Sequence, residues 1–117
     1  MTHDQERETM LMADDVSKGR GVLLVFHGAR DDDGMAEFYA FLKLVRDTWK
    51  PIPVQPAFLE FVEPSILDAV AEMVAQGIEE VLVLPLFLVP ASHLKTDVPA
   101  AIQHVRLRYP HVVFRQG

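Results

Sequence analysis

Three runs of strand length, residues 21–26, 54–59 and 81–86, are apolar almost throughout rather than alternating with polar residues. A strand that reads this way is buried on both faces, as in a parallel sheet covered by helices. The segments between the runs carry apolar residues at helical spacing. Phe38, Phe41, Leu42, Val45 and Trp49 form such a stripe after the first run, and Ile66, Val70, Met73 and Val74 after the second. Val98, Ala101, Ile102, Val105 and Tyr109 form a third.

The punctuation agrees. Asp33 is placed to cap the first helix, and Pro51 lies beyond its end. Pro56 marks the second strand as an edge or irregular strand. Pro64 suits the first position of the second helix, and Gly77 its left-handed C-terminal cap. The third run has no polar residue and is expected to be central. Thr96 reads as the N-cap of the third helix, with Pro99 tolerated in its first turn. Pro110 ends that helix, and residues 111–114 form a fourth strand.

The order β-α-β-α-β-α-β predicts an α/β fold. It is a single-domain, three-layer sandwich with a four-stranded parallel sheet and right-handed crossovers. Residues 1–20 are polar and acidic and read as a flexible N-terminal tail, leaving residues 21–117 as the domain. The chain stops directly after the fourth strand. One edge of the sheet is then short of cover, to be closed by a partner subunit or by residues absent from this chain.

With 117 residues, 50% of them hydrophobic, the chain can bury one real core. It has no cysteine, which excludes disulfides, thiolate metal sites and thiol nucleophiles and fits a cytoplasmic protein. No apolar run approaches the roughly 20 residues of a membrane span, and the N-terminus lacks the apolar core of a signal peptide. A formal net charge of −6 argues against nucleic acid as a partner. There is no Gly-x-Gly-x-x-Gly, no Walker loop and no Gly-x-Ser-x-Gly elbow. A phosphoacceptor receiver domain would need Asp after the third strand, where Pro85, Leu86 and Phe87 stand.

Polar residues with useful chemistry follow the three apolar runs: His27, Glu60 and His93. Ligands of open parallel sheets bind outside the carboxyl ends of the strands. His27 is either a strand-end histidine bonded to nearby backbone or a site residue, and Gly28 beside it permits close approach. Glu60 sits in an apolar stretch, where a carboxylate is paired, protonated or ligating. His93 is the polar feature of an apolar, proline-containing loop. Imidazole with carboxylate suits Co, Ni, Fe(II) or Zn better than Mg or Ca, and neutral imidazole is also a base near neutral pH. Arg30 and Lys95 flank the expected mouth, as solvated loop charges or as attractors of carboxylates. Asp31, Asp32 and Asp33 read as a solvated loop with a helix cap. His3, His104 and His111 receive no role.

Three segments carry a family resemblance. They are Leu23-Leu24-Val25-Phe26-His27-Gly28-Ala29-Arg30, then Ala57-Phe58-Leu59-Glu60-Phe61-Val62-Glu63-Pro64-Ser65, and finally residues 83–88 continuing to residues 92–99. In this order the chain resembles the small CbiX-type sirohydrochlorin cobaltochelatases and ferrochelatases of the class II chelatase group, over residues 21–117. The resemblance implies a chelatase-like fold, equivalent to half of a two-domain chelatase. It further implies ATP-independent insertion of a divalent metal into a tetrapyrrole, in cobalamin or siroheme biosynthesis. His27, His93 and Glu60 fall on the family's metal and catalytic positions. No cofactor is implied beyond the substrate metal, Co²⁺ first, with Ni²⁺ or Fe²⁺ as alternatives. A sirohydrochlorin-type tetrapyrrole is the expected partner, its carboxylates met by Arg30 and Lys95 and its ring by Phe58, Phe61, Phe87, Leu88 and Leu94. A homodimer is expected to complete the cleft. The family usually has Ser where Ala29 stands and often Gly where Ser92 stands, and neither change removes a ligand. A metal or tetrapyrrole carrier, or a subunit of another chelatase, is the non-enzymatic alternative.

Overall fold

A computed structural model of the chain describes residues 19–86 and 94–116, and of residues 94–97 the helical backbone alone. The expected alternation is present: β1 (Arg20–Phe26), α1 (Asp32–Trp49), β2 (Val54–Phe58), α2 (Ile66–Ala75), β3 (Glu80–Leu86), α3 (Leu94–Arg108) and β4 (Val113–Gln116). The four strands form one parallel sheet in the order β2-β1-β3-β4. As the sequence required, β3 is internal and β2, with Pro56, is an edge. The expected tail, residues 1–20, falls outside the described residues up to Lys18.

Strand pleating divides the core in two. Leu23 and Val25 of β1, Ala57 of β2, Val81 and Val83 of β3 and Phe114 of β4 face α2 and α3, where Val70, Met73, Ile102 and Val105 meet them. Val22, Leu24, Val54 and Phe58 face the other way, onto Phe38 and Leu42 of α1. Burying a side chain such as Phe58, 2% exposed, contributes about 2–3 kcal/mol. The cover on α1's side is partial. Leu82, Leu84 and Leu86 are only half-buried there, and a groove of about 580 Å³ lies between Trp49, Ile52, Leu82 and Arg115. Each edge strand also takes one side-chain hydrogen bond. Arg46 donates from Nε to the Val54 carbonyl on edge strand β2 at 3.0 Å, and Arg106 donates to the Phe114 carbonyl on edge strand β4 at 2.7 Å.

Several boundaries differ from expectation. Asp31, not Asp33, caps α1. It alone of the acidic run stays extended before the helix, and its carboxylate accepts from Gly34 N three residues on. Pro64 does not open α2, because its carbonyl accepts from Phe58 N at 2.8 Å; Ser65 caps the helix through Asp68 N. Thr96 lies inside α3, and Pro99 occurs beyond its first turn. The fourth strand starts at Val113, because Val112 N is still turned back onto Tyr109 O. Phe41, expected on the buried stripe, is 42% exposed.

Gly77 does end α2 as expected. It has φ +89, Gly77 N donates to Val74 O, and Ile78 N donates to Met73 O. These two bonds are the Schellman pattern, and Ile78 packs with Met73 in the core.

Candidate functional site

In the order β2-β1-β3-β4, the chain leaves β1 toward one edge of the sheet and leaves β3 toward the other. The reversal between β1 and β3 is a topological switch point, the place at which open parallel sheets bind their ligands. Phe26 is in register with Phe58 on one side and Leu86 on the other. The three strand ends therefore lie side by side.

His27 is the first residue beyond β1. The parallel ladder runs on past the strand ends, with Leu59 N donating to Phe26 O at 3.1 Å and Glu60 N donating to His27 O at 2.9 Å. Backbone bonding thus fixes Glu60 beside His27. Their side chains meet with Nε2 of His27 3.5 Å from Oε2 of Glu60. Gly28 explains how the loops come so close. Its φ is +103, and a Cβ there would strike the Glu60 carbonyl oxygen, so only glycine fits.

The segment after Glu60 turns sharply. Val62 N donates to Glu60 O at 2.8 Å around Phe61, whose φ is +68. A three-residue turn with positive φ at its centre is rare and strained, and costs roughly 1–3 kcal/mol for a residue with a bulky side chain. The turn holds the Phe61 ring outward, 53% exposed. The guanidinium carbon of Arg30 lies 4.5 Å from the ring's centroid. The His27 ring meets the same ring edge to face, with centroids 6.3 Å apart.

His27 and Glu60 are thus brought together as expected, with Arg30 close by through Phe61. The burial argument for Glu60 fails, because its side chain is 48% exposed. Among the described residues its ion-pair partner is His27. Phe58, expected to face a ring-shaped ligand, is buried under α1 instead, because the pleat turns it inward. His93, Phe87 and Leu88 lie outside the described residues, as do the side chains of Leu94 and Lys95. Among the described residues no three metal-type side chains converge. A smaller cavity of about 200 Å³, lined by Phe26, Gly34, Glu37, Phe38, Phe41 and Leu86, opens at the same end of the sheet. The turn at Phe61 was not legible beforehand, since nothing in the sequence marks a phenylalanine for positive φ.

An imidazole and a carboxylate side by side are groups able to ligate a metal or exchange a proton. The CbiX family profile matches residues 21–117. The chain belongs to the CbiX family. It is 38% identical over 99 residues to a sirohydrochlorin cobaltochelatase of Priestia megaterium, covering 84% of this chain and 32% of that protein. Among solved structures it resembles the sirohydrochlorin chelatase SirB of Bacillus subtilis subspecies spizizenii in complex with cobalt. The TM-score there is 0.76 at 33% identity, over 84% of this chain and 42% of that one. It also resembles a putative cobalamin biosynthesis CbiX protein of Marinobacter aquaeolei VT8, with TM-score 0.71 and 28% identity, over 84% of this chain and 79% of that one. The chain thus spans about a third of the length of the Priestia relative, and most of the smaller Marinobacter CbiX protein.

Proposed function

We propose that the chain is a chelatase domain that inserts a divalent metal into a sirohydrochlorin-type tetrapyrrole without ATP, in cobalamin or siroheme biosynthesis. The observation that carries this reading is the His27–Glu60 pair, 3.5 Å apart, on the switch-point edge of a CbiX-family sheet. Co²⁺ is the first substrate to test, with Fe²⁺ and Ni²⁺ next, since imidazole and carboxylate serve all three.

Insertion exchanges one M²⁺ for two pyrrole protons, so the site must hold a metal near the ring and take protons from it. In this reading His27 and Glu60 share those tasks with His93, which follows β3 in the sequence. Imidazole can serve either as ligand or as proton acceptor. Arg30, with Lys95, meets the carboxylates on the periphery of the ring. Focused cations are what allow a protein of net charge −6 to bind such a polyanion. The reading includes a cytoplasmic location. It also includes pairing of two copies, which would complete the cleft and could cover the half-buried Leu82, Leu84 and Leu86. A sedimentation mass of one chain at assay concentration would exclude the pairing.

The test is anaerobic absorbance of sirohydrochlorin with Co²⁺, with and without the protein, in weak buffer with a pH indicator. Accelerated conversion with two protons released per metal is expected. A tetrapyrrole band that shifts on binding without conversion would make the chain a carrier.

A further inference from the structure

We infer that Phe61 is a positioning residue for substrate recognition: its ring holds the Arg30 guanidinium at a fixed place beside His27, where it reads a carboxylate of the tetrapyrrole. The inference rests on the chelatase reading of the site and goes further by giving a role to a residue that motif and spacing left as an apolar wall.

An exposed arginine on a loop is a poor recognition group by itself, because ordering its long side chain on binding loses rotamer freedom. Arg30 is also followed directly in the sequence by three carboxylates, Asp31, Asp32 and Asp33. Among the described residues it forms no ion pair with any of them. It lies instead over the face of Phe61, 4.5 Å from the centroid. The ring's quadrupole attracts the cation there while leaving its N–H edge free to donate to an anion. The ring can stand there only because the backbone turns through φ +68 at Phe61, closed by the Val62 N to Glu60 O bond. That turn begins on the residue paired with His27, so one short segment sets both the His27–Glu60 pair and the height of the Arg30 charge. An exposed aromatic kept at a strained φ, with a cation on its face and a site histidine against it, is the signature of a functional constraint.

The experiment uses the full chain and metal-free sirohydrochlorin, with its dissociation constant read by absorbance titration beside the insertion kinetics. Phe61→Leu should raise Kd and KM by about two- to fivefold, the equivalent of an exposed cation–π contact, and leave kcat within about twofold. Phe61→Trp should restore wild-type binding. Phe61→Gly removes the ring but relieves the positive φ. It should bind as weakly as Phe61→Leu while melting no lower than wild type, which a merely structural role for the ring does not produce. In an Arg30→Gln background Phe61→Leu should have no further effect, because the ring acts through the guanidinium. Additive losses in the double variant, or a fall in kcat at unchanged KM, would overturn the inference. If wild type binds sirohydrochlorin in a Phe61-dependent way but inserts no metal, only the chelatase reading fails. If it inserts metal with Kd and KM indifferent to Phe61, only this inference fails. A wild type that binds no sirohydrochlorin removes both.

Discussion

At the scale of single residues, the site depends on two close approaches. Gly28 lets the loops after β1 and β2 touch, and Phe61 turns the second loop outward. Gly28→Ala sets a Cβ against the Glu60 carbonyl and asks alanine to adopt φ +103. It should destabilise the protein by about 2 kcal/mol or more and separate Glu60 from His27, so insertion activity should fall together with the melting temperature. An unchanged melting temperature would mean that the two loops are not held as described. His27 and Glu60 were legible in the sequence, since each follows a strand-like run and the sheet brings strand ends together. The 3.5 Å contact between them was legible only as a juxtaposition, because it depends on register. Only the burial argument for Glu60 does not hold: its neighbours are apolar, yet its carboxylate is half in water. Phe61 was expected only in the apolar wall facing the ring, and its turn escaped, because positive φ is marked in sequence by Gly or Asn and not by Phe.

At the scale of elements, the strands were the most readable part, because a doubly covered parallel strand must be apolar along its length. The helix starts were the least readable. Asp33 was the expected cap, and only backbone geometry selects Asp31. Pro64 looked like a first helical residue, but its carbonyl is engaged in closing the loop that carries Glu60. The clasping arginines offer a test. Arg106→Ala leaves the Phe114 carbonyl on β4 without its 2.7 Å donor and should cost about 1 kcal/mol, measured by urea denaturation. Gly77→Ala should cost about 1 kcal/mol through backbone strain alone, because nothing lies within 4 Å of the added Cβ. Loss of activity beyond the change in stability in either variant would contradict their placement outside the site. Arg106 clasps an edge strand, and Gly77 caps α2 at the strand-start end of the sheet.

At the scale of the whole molecule, the sheet has two unlike ends. The strand-start end carries Arg20, Glu80 and Arg115 in a surface ion-pair cluster, beside the roomier groove. The strand-finish end carries His27, Glu60, Phe61 and Arg30, with the smaller cavity. Volume alone would favour the first end, but chemistry favours the second. There the strand order reverses, backbone bonds bring an imidazole and a carboxylate together, and a cation is stacked in reach of an anionic ligand. The initial rate of Co²⁺ insertion into sirohydrochlorin, measured anaerobically for wild type and His27→Ala side by side, tests this most directly. His27→Ala should retain the wild-type melting temperature and lose roughly 100-fold or more in rate, as expected for removing a proton acceptor or metal ligand. A folded variant working within twofold of wild type would contradict the placement of the chemistry at this edge.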